Sequence, residues 1–388
     1  MTDRTNWEQK PLGEVVRVVK SSAHPEEYGD STVDYYSLPI FDRTREPEVV
    51  SAESIKSLKR VIDRPLVLVS RLNPHIPRVW RAEPSDRPAL ASTEFAPLEP
   101  TGVRLDYLYA AVSSSTFQRE LMSRVTGTST SHQRVKLRDL LALPIPVPPP
   151  EDQERIGGLV AALDRRRSLA EALSATREDL LQQLFRHHFP NAFEGTARFG
   201  DYTNITMGVS YRSSELGGED QALVTLKSFG RTGSYQDAGL KPWSGEAKPE
   251  QYVEEGDVVV AHTDLTQAAE VLGRAVVVRR SRQYERLAAS LDMAVVRPRP
   301  PLSREYVLGL TRQPEFRHYC RAHANGTTVL HLSRKALPKF RFSPPSETAL
   351  RAYDEAAALI LGRHLTGDEE RRTAERLRDR VLDRVFAD

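Results

Sequence analysis

Leu140-Leu141-Ala142-Leu143-Pro144-Ile145-Pro146-Val147-Pro148-Pro149-Pro150-Glu151-Asp152-Gln153-Glu154-Arg155-Ile156 changes periodicity abruptly in its middle, and the fold follows from that change. From Leu143 to Pro150 the prolines deny the backbone the donors that a helix needs, so this stretch is a stiff entry. A helix starts just after it, because proline is tolerated in a first helical turn. Beyond that point Ile156, Val160, Leu163, Ala170, Leu173, Leu180 and Leu184 recur at spacings of three, four and seven. That is a coiled-coil type of seam, with charges elsewhere.

The same punctuation returns later in the chain. Pro344-Pro345-Ser346-Glu347-Thr348 opens a second charged segment, in which Leu350, Tyr353, Ala357, Ile360, Leu377, Val381 and Val385 keep the rhythm. Gly362 and Gly367 interrupt it. At 1.5 Å per residue each helix is expected to be on the order of 55–60 Å long. The apolar stripes are too narrow to serve as a domain core, which favours helix pairing over two helices lying on their own domains.

Working outward, the segments before the two helices match in order. Leu12-Gly13-Glu14-Val15 corresponds to Phe199-Gly200-Asp201-Tyr202, and Val67-Leu68-Val69-Ser70-Arg71 to Val258-Val259-Val260-Ala261-His262. The run from Ser92 to Pro100 matches that from Ser290 to Pro298, Gly127-Thr128 matches Gly326-Thr327, and Phe185 matches Phe386. The offset drifts only from 187 (Leu12 to Phe199) to 201 (Phe185 to Phe386). The chain is a duplication, far too long in period for a solenoid. Buried-strand candidates at Val67–Val69, Val258–Val260 and 275–278, separated by turn signals such as Glu255-Gly256-Asp257, make each half mixed α and β. The expected architecture is α+β: a first recognition domain (1–149), a first spacer helix (150–189), a second recognition domain (190–343) and a second spacer helix (344–388).

Composition narrows the function class. The 388 residues carry a net charge of only +2, with 28% charged and 39% hydrophobic residues, a profile of soluble globular chains. Neither a signal segment nor an apolar run of membrane-spanning length is present, so a cytoplasmic protein without a membrane role is expected. Cys320, the lone cysteine, offers neither a disulfide nor zinc spacing.

The junction from Leu140 to Ile156 resembles that of the specificity (S) subunits of type I restriction-modification systems. In that family a Pro-Pro pair precedes an acidic-Gln helix start. Leu163-Asp164 and Leu180-Leu181-Gln182-Gln183-Leu184-Phe185 are similar to its spacer helix. Leu223-Val224-Thr225-Leu226-Lys227-Ser228-Phe229, followed by Gly256-Asp257-Val258-Val259-Val260, resembles the start of a target-recognition domain. The second junction departs from the pattern, with Thr348 in the place of Gln153, so its docking to a partner is expected to be weaker or differently shaped than that of the first. The resemblance implies two target-recognition domains joined by two antiparallel spacer helices. Each domain would read half of a split double-stranded DNA site, and no catalytic group would reside on this chain. Two modification (methyltransferase) subunits and restriction (helicase-nuclease) subunits would be its partners. S-adenosylmethionine, ATP and magnesium would belong to those partners, and no cofactor or metal to this chain.

Three stretches have the side chains for DNA contact. The first runs from Arg124 to Arg134, where Thr128, Ser129, Ser131, His132 and Gln133 supply short donors and acceptors and the two arginines supply charge. Its counterpart holds Thr327, Thr328 and His331, followed by Arg334 and Lys335. The second stretch holds Lys227, Arg231, Ser234 and Tyr235; the third holds Arg71, Asn73, His75 and Arg78. For each, an ordinary polar loop is the alternative. A base-flipping methyltransferase would need an Asn/Asp-Pro-Pro-aromatic segment, and Asn73-Pro74-His75-Ile76 lacks both the second proline and the aromatic. Asp237 with Glu246 and Lys248 could in principle suit a metal nuclease, yet such a short pattern is common in a chain this charged. A coiled-coil scaffold without DNA binding is the rival class.

Overall fold

A computed structural model describes residues 7–125, 133–230, 233–265, 269–327 and 329–387, except the side chains of 363–368. The chain divides into two compact units, Met1–Ser168 with Arg371–Asp388, and Leu169–Glu370. Each long helix, Pro150–His188 and Glu347–Phe386, therefore starts in one unit and ends in the other. No helix among the described residues is long and apolar enough to cross a membrane.

In the first unit a four-stranded antiparallel sheet runs in the order Val16–Val18, Phe95–Pro100, Leu66–Ser70, Val79–Ala82. Leu66–Ser70 is central and buried at all five positions, which is why it reads as an unbroken apolar run. A five-stranded sheet stands beside it, with Thr32–Tyr36 and Ala89–Ala91 paired in parallel. Helices Leu105–Ser113 and Ser115–Ser123 follow. The proline-rich entry is extended, as its lost donors require: Pro144–Val147 pairs with Glu8–Pro11.

The second unit repeats the plan. Its four-stranded sheet runs Thr203–Met207, Met293–Pro298, Val258–Ala261, Ala275–Val277. A second four-stranded sheet contains one parallel pair, Gln221–Val224 with Arg286–Ala289. Helices Arg304–Thr311 and Pro314–Ala322 follow, and Arg341–Phe342 pairs with Ala197–Arg198. The repeat extends to side chains. Phe386 lies 5.9 Å from Tyr107 in the first unit and Phe185 lies 5.3 Å from Tyr306 in the second.

The two junctions are clasped differently. Buried Gln153 accepts the Arg104 backbone N–H through Oε1 (2.9 Å) and donates through Nε2 to the Pro148 carbonyl (2.9 Å). It thereby ties the start of the long helix to the start of Leu105–Ser113. In the second unit Thr348 is exposed and the task passes to Ser303. That hydroxyl accepts the Tyr306 N–H (3.0 Å) and donates to Asp354 on the long helix (2.7 Å). Burial raises the Asp354 carboxyl pKa, against the hydrogen bond from Ser303.

The seam of the first long helix differs from its leucine pattern. Gln153, Val160, Arg167, Ser174 and Leu181 recur every seven residues and are all buried. Leu173 (45% exposed) and Leu180 (47%) stand one position earlier in that register, roughly 100° round the helix, and face outward with Leu169 (71%). Leu377 of the second helix is likewise exposed. These three expected seam residues, Leu173, Leu180 and Leu377, do not lie on the buried face. Ile156, Val160, Leu350 and Tyr353 are buried, while Leu163, Leu184, Ile360 and Val381 are half-buried. The inner line is thus part polar, and at its start Gln153 is satisfied by its two backbone hydrogen bonds. In the first unit Arg378 meets Asp164 at 2.9 Å and Tyr109 Oη at 3.3 Å. Burial opposes the Arg378 charge, but Tyr109 and Asp164 outweigh it and the guanidinium pKa is raised.

Candidate nucleic-acid interface

The central strand of each main sheet delivers its last residues to one place. In the first unit the strand Leu66–Ser70 continues into Arg71-Leu72-Asn73, and the segment Gln133-Arg134-Val135 lies antiparallel beside it through a Leu72–Arg134 bridge. The Asn73 N–H donates to the Gln133 carbonyl (2.8 Å), and that of Val135 to the Arg71 carbonyl (3.0 Å). On the other flank the Arg71 N–H donates to the Glu94 carbonyl (3.0 Å). Two stretches far apart in sequence thus form one surface.

The second unit reproduces this frame. Val258–Ala261 continues into His262 and Thr263, and Thr263 pairs with His331. The His262 N–H donates to the Asp292 carbonyl (2.7 Å), and the Leu332 N–H donates to the His262 carbonyl (2.8 Å). Position by position, Arg71, Leu72, Arg134 and Glu94 are replaced by His262, Thr263, His331 and Asp292.

The side chains differ in kind. In the first unit, burial lowers the Arg71 pKa against the pull of Glu94, and neighbouring Arg134 and Arg60 push it the same way. Three guanidinium groups therefore share one patch, with Arg134 paired to Glu94 and Arg60 donating to Ser22 Oγ (2.9 Å). Such crowding of like charge suits an anionic ligand. In the second unit, burial, then Arg334 and His331, push the His262 pKa down to about 4. Its ring is neutral at pH 7, and its buried Nε2 has no hydrogen-bond partner among the described residues. The His331 ring stands 3.3 Å from the Thr263 hydroxyl.

Other expected contact residues sort by burial. Arg124, His75, Lys227, Thr327, Arg334 and Lys335 are exposed, and Asn73 occupies a left-handed turn (φ 48°). Ser234 and Tyr235 are buried, Tyr235 inside an apolar cluster with Val224 and Phe229. They hold the domain together instead of facing outward. Arg78 is likewise committed, buried and bidentate to Asp42 at 2.7 Å. Thr128, Ser129, Ser131, His132, Arg231 and Thr328 lie outside the described residues. Glu246 and Lys248 are exposed, and among the described residues no three His, Cys, Asp or Glu side chains gather as a metal site would require. His262, Thr263 and Arg60 were not expected as site residues. For His262 a signal existed, since the repeat sets it opposite Arg71.

No known family pattern matches the sequence, and no curated protein does. Solved structures do match. An S subunit of a type I restriction-modification system from M. genitalium aligns over 100% of this chain and 98% of its own, with 13% identity and a TM-score of 0.62. The HsdS subunit from Thermoanaerobacter tengcongensis aligns over 98% and 97%, with 20% identity and a TM-score of 0.39. The chain has the fold of the M. genitalium S subunit.

Proposed function

We propose that this chain is the DNA-recognition subunit of a type I restriction-modification assembly, with each unit reading one half of a split site. One observation carries the reading. The two units present an identical backbone frame at the end of the central strand, furnished with different side chains. A cationic trio at Arg60, Arg71 and Arg134 suits phosphates and guanine edges, whereas neutral His262 with Thr263 and His331 offers a different donor and acceptor set. A reader of an asymmetric site needs that combination of a shared scaffold and unlike contacts. The fold shared with an S subunit supports the same reading. No group on the chain is assigned a catalytic step. Methyl transfer and cleavage would fall to modification and restriction subunits that bring S-adenosylmethionine, ATP and magnesium.

Exchanging residues 190–343 for the matching domain of another S subunit, in the complex with modification subunits, should change one half of the methylated sequence and leave the other intact. Mapping methylated bases by sequencing reads this directly, and a change in both halves rejects modular reading. A coiled-coil scaffold would give no methylation motif at all.

Arg134 tests the first unit's patch. It is exposed and paired to Glu94, so Arg134→Ala should leave folding intact. As a phosphate contact it should weaken cognate and scrambled duplexes alike and reduce the salt slope by about one. A loss confined to one base position, roughly 1–3 kcal/mol, would make it a base reader. Unchanged binding on both duplexes would remove the residue from the interface.

A further inference from the structure

We infer that Leu265 and Leu291 form an apolar reader in the second unit, and that the base they take is thymine, through the methyl group it presents in the major groove. The inference deepens the DNA-reading function proposed above and rests on it. Outside the two long helices, these two are the only large apolar side chains of the second unit that stand exposed among the described residues, at 70% and 41%. A single exposed leucine needs no explanation. Here both stand at the end of the central strand, on the surface that carries the candidate interface.

Each leucine is held out by fixed backbone. Leu265 lies three residues beyond His262, and its neighbour Asp264 is buried, the carboxylate accepting the N–H groups of Val271 (2.6 Å) and Leu272 (3.0 Å). Thr263 and Asp264 pair with His331 and Leu330. Leu291 belongs to a turn on the other flank. The N–H of fully buried Ser290 donates to the Val224 carbonyl (3.0 Å), and the Met293 N–H closes the turn on the Ser290 carbonyl (3.1 Å). Asp292, next to Leu291, is the residue whose carbonyl accepts the His262 N–H. Neither leucine belongs to the apolar clusters of the unit.

The first unit differs at both positions. Counting from Arg71 and His262, buried Pro74 takes the place of Leu265; counting from Ser92 and Ser290, Thr93 takes that of Leu291. It keeps one exposed aliphatic on this stretch, Ile76 (40%), beside its arginines. In the major groove the thymine methyl is the one apolar group on a base edge. The other bases present donors and acceptors there, which a leucine would strip of water and leave unpaired. A surface whose two strand-end arginines are replaced by histidines and flanked by leucines therefore suits an A·T pair.

The test uses the full chain assembled with its modification subunits. The methylated motif is mapped first, and duplexes are then made with uracil for each thymine of the second half-site, which removes the methyl alone. Uracil should weaken wild-type binding about fourfold at the position read. Leu265→Ala with Leu291→Ala should bind the thymine duplex more weakly by at least as much and no longer distinguish thymine from uracil, while still capturing the modification subunits. A second half-site without an A·T pair, or uracil bound as tightly as thymine, overturns the assignment. If only the double variant loses affinity and uracil is silent, the leucines are wedges between base steps and not methyl readers. Loss of subunit capture would make them a protein contact instead. If the wild type methylates no split site, the DNA-reading function itself fails and this inference with it.

Discussion

Gly157→Ala is expected to destabilise the first unit by about 2–4 kcal/mol, while Gly158→Ala, one residue on, should stabilise it by about 0.5–1 kcal/mol. Both glycines lie inside the first long helix, where alanine is intrinsically the better residue. Their surroundings are opposite. A Cβ on Gly157 would stand 2.6 Å from the Tyr107 backbone nitrogen and 2.7 Å from Asp106, whereas one on Gly158 meets nothing within 4 Å. The backbone of Leu105–Ser113 cannot step aside as a rotamer can, so the helices must separate. Denaturant melts of the two variants read the difference, and equal behaviour would show that the close approach at Gly157 carries no weight. The second unit reaches the same closeness from the other partner, with Gly309 on the short helix under Tyr353.

In the assembly proposed above, Leu169→Asp, Leu173→Asp and Leu180→Asp together should abolish capture of the modification subunit while lowering the melting temperature of the chain far less than a buried charge would. The three leucines form a row on the first long helix that is 45% exposed or more at each position, so charging them removes little internal packing. In a complex each would lose roughly 1.5–3 kcal/mol of burial, and three such losses exceed a thousandfold in affinity. Leu181→Asp, at a buried position of the same helix, should do the reverse and damage the fold. Co-purification from cells making both proteins decides the matter. Normal capture by the triple variant would place docking elsewhere on the chain.

The duplication, the extended proline entry and the two long helices were all legible in the sequence, because each rests on local patterns: missing donors, heptad spacing, matched order. The helix seam was misread at its centre for a physical reason. A search for apolar residues selects Leu173 and Leu180, while the buried line carries Arg167 and Ser174, polar residues that such a search passes over. The site was half legible. Arg71 and Arg134 were expected separately, yet their union depends on a bridge between residues about sixty positions apart. Tyr235 and Ser234 were expected outside from composition, and the bridge from Phe229 to Tyr235 turns them inward.

The first unit is assembled from two pieces of chain, Met1–Ser168 and Arg371–Asp388, and this has a consequence for synthesis on the ribosome. Tyr107, Ala110, Ile156 and Val160 share an apolar cluster with Leu382 and Phe386. The second unit, Leu169–Glu370, is continuous in the chain and can fold as it emerges. The first emerges earlier but waits for its lid while more than half the polypeptide is translated, roughly 10–40 s at ordinary elongation rates. During that interval an oily face stays open to chaperones or to a neighbouring nascent chain. Maturation therefore runs against the order of translation, with the half made first being the half finished last.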